Sequence, residues 1–172
     1  MEEVDEFESE PFAAALTHPL SGADHWLAAL AIGFVVWSRG RKTGFQSVVG
    51  FTLTLAAGIA AGRAGMQLPM VEAGLALTVV LAGLTVAAAR RFPSWTVLLV
   101  SALTGAWHGL AHGMEMPAAA PPGLSALGLT LGSGALALLA GGLASLIRPG
   151  NPSLSRWTGT GIAAAGLWLL VS

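Results

Sequence analysis

The chain's four histidines fall in two short segments. The first reads His18-Pro19-Leu20-Ser21-Gly22-Ala23-Asp24-His25, and the second Trp107-His108-Gly109-Leu110-Ala111-His112-Gly113-Met114-Glu115-Met116-Pro117. His108, His112 and Glu115 are spaced i, i+4, i+7, which sets two imidazoles and a carboxylate along one stripe of a helix. His18 and His25 are seven apart and share a face if both are helical. Pro19 suits the first turn of a helix, and Ser21-x-x-Asp24 has the form of a capping box, which places His18 at the helix mouth and Asp24 and His25 about one turn deeper. Neutral imidazoles and carboxylates together are ligands for Ni²⁺, Co²⁺, Zn²⁺ or Cu²⁺. With no cysteine in the chain, thiolate metal sites, disulfides and a cysteine nucleophile are excluded.

The elements that must carry these groups are apolar. Of 172 residues, 54% are hydrophobic and 10% charged, against about 25% charged in an ordinary soluble domain. Disorder is excluded, and too few polar groups exist to cover a water-soluble surface. Six continuous apolar stretches are each long enough to span a bilayer: Pro19 to Ser38, Gly44 to Gly62, Leu68 to Ala89, Trp95 to Gly113, Gly123 to Ile147 and Leu154 to Val171. The runs do not alternate, so a β-barrel is not expected. The expected fold is all-α: residues 18–172 as one bundle of six transmembrane helices, preceded by an acidic segment, 1–17. That segment has no basic region of the kind that opens a secretory signal.

Charge fixes the expected orientation. Lys and Arg at 39, 41, 42, 90, 91, 148 and 156 flank the first, third and fifth connections, and Arg63 alone lies on the other side. The positive-inside rule puts those connections in the cytoplasm and both termini outside, in a bacterial or archaeal cytoplasmic membrane. All nine acidic residues then fall in the outer half: six in the tail, then Asp24, Glu72 and Glu115. Trp37, Trp95 and Trp157 mark the inner interface, and Trp26, Trp107 and Trp168 the outer. Prolines 69, 93, 117, 121, 122, 149 and 152 punctuate connections. Gly58-x-x-x-Gly62, Gly105-x-x-x-Gly109-x-x-x-Gly113 and Gly128-x-x-x-Gly132 offer small faces for packing within one chain, or between copies in a homo-oligomer. A net charge of −1 gives no footprint for nucleic acid; the expected partners are lipid and a metal ion.

In this topology both histidine segments lie at the outer level. If the first and fourth spans pack together, His18, Asp24, His25, His108, His112 and Glu115 converge on one cation, which offsets the cost of polar groups at membrane depth. Glu72 is either a helix-end charge or a support for a ligand imidazole. Met66, Met70, Met114 and Met116 keep copper open as the ion. The deeper hydroxyls of Thr52, Thr54, Thr78, Thr85, Ser101, Thr104 and Ser133 either bond to their own helix or step an ion inward. No nucleotide-binding loop or serine-hydrolase elbow is present.

The segments at 18–25 and 108–117, with Leu-Pro-Met-Val-Glu at 68–72, resemble the HupE/UreJ family of membrane proteins. The resemblance covers the first four spans well and the last two loosely. It implies a hydrogenase- or urease-accessory role as a nickel, or sometimes cobalt, permease, with metal handling by His18, Asp24, His25, His108, His112 and Glu115. Two features depart from many members: an acidic start replaces a His-rich one, and Leu136-Ala137-Leu138 stands where a Leu-His pair is common. The expected function is therefore a permease for a divalent transition metal, Ni²⁺ first, with Co²⁺, Zn²⁺ or Cu²⁺ as other cargo. The alternatives are an intramembrane zinc hydrolase with Asp24 or Glu115 as base and Ser21 as helper, a copper- or zinc-binding accessory protein without transport, a haem protein, or a purely structural subunit.

Overall fold

The computed structural model describes residues 5–88, 91–116, 121–146 and 152–171. Of the residues used above, Glu2, Glu3, Ala89, Arg90, Pro117, Ile147, Arg148 and Pro149 lie outside these. Among the described residues all regular structure is helical: α1 (Asp5–Thr17), a 3-10 turn (His18–Leu20), α2 (Ala23–Arg39), α3 (Arg41–Arg63), α4 (Val71–Ala87), α5 (Ser94–Glu115), α6 (Pro122–Ser145) and α7 (Pro152–Val171). Helices α2 to α7 coincide with the six apolar stretches. By length and composition α3 and α6 are able to cross a membrane; Ala23–Val35 and α4 are shorter apolar helices. Gly40, at φ 87°, breaks the chain between α2 and α3 in a conformation that side chains rarely adopt. Pro122 opens α6 at a position where its missing N–H costs nothing.

Helix α1 lies within the acidic segment expected ahead of the six-helix bundle. Among the described residues there are seven α-helices, and the first packs on α6, where Gly128 faces the carbonyl of Phe12 and Gly132 that of Leu16. The same device joins α3 to α5. A Cβ on Gly105, Gly109 or Gly113 would collide with the carbonyls of Phe51, Leu55 and Ile59 in turn, and one on Gly58 or Gly62 would meet the backbone of α5. Thr54 adds a hydrogen bond across this contact, donating to Ala102 O at 2.8 Å. Gly33 lies against Gly141, joining α2 to α6, and Gly83 and Gly159 join α4 to α7. The three glycine motifs are thus consumed inside one chain.

Apolar side chains fill what remains. Ala28, Val35, Val79, Val86, Val97 and Ile162 form one buried cluster; Ile32, Phe51, Leu55, Ile59, Leu129 and Leu136 form another. The outer surface is also apolar, with Leu53, Leu131, Leu139, Leu143 and Trp168 all exposed. Apolar residues on both sides of a helix suit a hydrocarbon surround rather than water.

Replacing Gly109 by Val should lower stability in detergent by about 1–3 kcal/mol or more, because backbone lies where the side chain must go. Gly50→Ala, where nothing lies within 4 Å, should be neutral or stabilising by about 0.5–1 kcal/mol. Thermal melting of the two variants checks this, and equal melting temperatures would contradict the α3–α5 contact.

Candidate metal centre

The first histidine segment does not form one helix. After α1 the chain makes the 3-10 turn, and α2 begins only at Ala23. Ser21 closes that turn: its N–H and Oγ both donate to His18 O, at 2.9 and 2.7 Å. The Ser21–Asp24 capping box is therefore not made; the N-cap is Gly22, with no side-chain cap. This break brings His18 back over α2. In a continuous helix residues seven apart are separated by about 10 Å along the axis, whereas the His18 and His25 rings are 5.3 Å apart and perpendicular. A Cβ at Gly22 would strike His25 Nδ1 and Asp24 Oδ1, so glycine is needed where the pair lies against the turn. Trp26 pins the arrangement by donating to Leu20 O at 3.0 Å.

The second segment lies in the last turns of α5. His108 is 1% exposed and His112 9%, while Glu115, the last residue of the helix, is exposed. The neighbouring Trp107 fixes α4 beside them. Its indole N–H donates to Val71 O at 3.0 Å, and its ring fills the space a side chain at Gly74 would take. Met70, in a left-handed conformation at φ 57°, turns the chain into α4 just ahead of Glu72.

All six expected ligand residues, and Glu72, line one cavity of about 200 Å³, completed by Leu75 and Ala111. His18, His25 and His112 offer nitrogens that all lie within 4.8 Å of one another. His25 Nε2 and His112 Nε2 are 2.6 Å apart, a distance that needs one proton between them. Asp24 Oδ1 accepts from His25 Nδ1–H at 3.1 Å, so His25 Nε2 carries a lone pair and His112 donates to it. His108 is held differently. Its Nδ1–H donates to Thr104 O at 2.8 Å, leaving the Nε2 lone pair buried without a hydrogen bond, 3.9 Å from Asp24 Oδ2. His108 thus sits below the other three imidazoles as a separate layer.

Three carboxylates and no lysine or arginine line the cavity, so its field favours cations. None of the four outer methionines lines it, but Met116 lines an adjoining cavity together with His18, His112 and Glu115. Ser21 is also absent from the lining, its hydroxyl committed to the turn. The cavity is smaller than the roughly 300–1,000 Å³ usual for drug-sized ligands. The reading of the sequence did not anticipate the 3-10 break, the direct His25–His112 pair, or the roles of Gly22 and Trp107. Only the crowding of glycine and tryptophan around the histidines hinted at them.

The family described as HupE / UreJ protein matches residues 3–169. Protein HupE of Rhizobium leguminosarum bv. viciae is 36% identical over 159 residues, which cover 92% of this chain and 83% of that protein. No solved structure matches. A family match across nearly the whole chain, with the histidine segments converging on one cavity, places this protein in the HupE/UreJ family.

Proposed function

We propose that this chain is an integral membrane permease for a divalent transition-metal ion, with Ni²⁺ the first choice and Co²⁺, Zn²⁺ and Cu²⁺ the other cargo to test. Its six apolar helices α2 to α7 span the bacterial cytoplasmic membrane, with the histidine-bearing end facing outward. The observation that carries the reading is the cluster of His18, His25 and His112 nitrogens beside three carboxylates, in a helical protein whose surround is apolar. An ion with bonds of about 2.0–2.1 Å holds its ligand nitrogens roughly 3 Å apart, so capture would separate His25 from His112 slightly and draw His18 in. His108 Nε2 and Asp24 Oδ2 are 3.9 Å apart, so one ion taking both as neighbouring ligands would draw them slightly together. Both atoms are electron-rich and face each other, an arrangement that a cation relieves. Glu72 and Glu115 sit at the rim and raise the local concentration of cations. The membrane potential contributes about 4.6 kcal/mol per 100 mV to inward movement of a doubly charged ion, twice the single-charge value.

In sealed proteoliposomes the wild-type protein should accumulate Ni²⁺, and His25→Ala or His112→Ala should each weaken Ni²⁺ binding by about 10–100-fold while leaving the helical content intact. Stoichiometric bound metal with no uptake of Ni²⁺, Co²⁺, Zn²⁺ or Cu²⁺ would overturn transport and favour the hydrolase or accessory readings.

Acid should oppose capture, because only neutral imidazoles coordinate. Partial burial, then the proximity of His25, pushes the His18 pKa below its ordinary 6.5. A lowered value means that the proton leaves more readily, so the ligand form persists to more acidic pH than in a free histidine. Titration of the metal-free protein followed by NMR should therefore place the His18 midpoint below 6.5, and Ni²⁺ affinity should be nearly flat between pH 8 and 7 and fall only below about 6.5. A His18 midpoint above 6.5, or full affinity at pH 5, would contradict the histidine site.

A further inference from the structure

Of the seven deep hydroxyls named from the sequence, five return to carbonyls of their own helix, and Thr54 donates across to Ala102 O of α5. Thr52 and Thr104 donate to Val48 and Val100, both at 2.8 Å, Thr78 to Leu75 at 2.8 Å, Thr85 to Ala82 at 2.7 Å and Ser101 to Val97 at 2.9 Å. Among the described residues Ser38, Ser47 and Ser133 are buried hydroxyls that find no partner, and of these Ser133, in the middle of α6, is the one that lines a space with the histidines. It is 5% exposed, yet its Oγ makes no hydrogen bond. It lines a narrow cleft of about 10 Å³ together with His25 and His108, walled by apolar groups that include Phe51, Leu55 and Leu136. His25 and His108 also line the outer cavity, so the two spaces meet at these rings. His108, whose Nε2 is also buried without a hydrogen bond, lines the same cleft.

A space of about 10–15 Å³ accommodates one water-sized particle. A hydrated divalent ion is far larger, so nothing passes here without shedding water. We propose that Ser133 is the inward hand-off group of the permease: an ion released by the imidazole cluster moves from His108 Nε2 to the Ser133 hydroxyl, while the apolar walls exclude its hydration shell. The inference rests on the transport reading above and extends it to a residue outside the histidine motifs. A neutral hydroxyl is a weaker ligand than imidazole or carboxylate, which suits a station that must let go; conduction needs binding favourable enough to enter and weak enough to leave. The identity of the side chain matters for a further reason: a hydroxyl bonded back to its own helix has already spent its proton, whereas that of Ser133 is free to reorient and point its lone pairs at the cleft.

The test compares Ser133→Ala, Ser133→Thr and Ser133→Cys with wild type in Ni²⁺-binding and Ni²⁺-uptake assays on proteoliposomes. Ser133→Ala should keep outer-site affinity within about twofold and slow uptake by about tenfold or more, and Ser133→Thr should restore part of the rate. Ser133→Cys, in a chain with no other cysteine, should shift the competition between Ni²⁺ and Cd²⁺ towards the softer ion, a change that a packing role would not produce. Wild-type vesicles that take up no Ni²⁺ would remove the transport reading and this inference with it. Wild-type uptake with Ser133→Ala and Ser133→Cys unchanged in rate and in ion preference would remove this inference alone, assigning the cleft to a structural water. Should Ser133→Ala lose outer-site binding, and so report a folding defect, the ion preference of Ser133→Cys decides.

Discussion

The backbone-to-backbone approach of α3 and α5 is the constraint on which the site depends. Gly105, Gly109 and Gly113 form one stripe of α5, and the carbonyls of Phe51, Leu55 and Ile59 occupy the space their side chains would fill. Successive residues on a helix are rotated by about 100°. His108 and His112 each precede a glycine of the stripe, so once the stripe is seated on α3 both imidazoles must face the adjoining direction. There they meet α2 and the turn before it: the His112 ring lies 4.7 Å from that of His25 and 5.2 Å from that of His18. A larger residue in the stripe would push α5 away and rotate the imidazoles with it. The glycines therefore aim the histidines as well as joining helices, and in lipid, where apolar burial supplies little drive between helices, this close packing is the force available to do so.

How much of this could be read from the residues follows from which interactions are local. Helices α2 to α7 were legible because long apolar runs admit few other structures. The convergence of His18, His25, His108 and His112 was legible because charge placed both segments at one level and spacing placed each on a face. The glycine motifs also told their purpose, though not their partners. Helix α1 was hidden, since its stability comes from packing on Gly128 and Gly132 of α6, more than a hundred residues away. The 3-10 turn was hidden for a subtler reason. Ser21 and Asp24 fit a capping box on paper, but the Ser21 hydroxyl has a nearer acceptor in His18 O, and Gly22 takes the cap because Asp24 and His25 need the space beside it. A local rule lost to the packing of the very groups it was meant to position.

The layering of the imidazoles also bears on direction. His18 is exposed, His112 nearly buried and His108 fully so, and Asp24 bridges the levels, one oxygen on His25 and the other facing His108. Burial costs most where charge is least compensated, so in the proposed permease a cation descending this series would exchange water for protein ligands in steps rather than at once. At each level the donor set remains nitrogen and oxygen, which keeps successive steps similar in affinity. The carboxylate of Asp24 is the one charge shared between levels. It is fixed at the N-terminal turn of α2, where the helix dipole favours an anion, and it therefore need not move as the ion does. In the proposed permease, a fixed negative charge between two imidazole layers would let the ion reach the lower layer without being trapped in the upper one, as conduction requires.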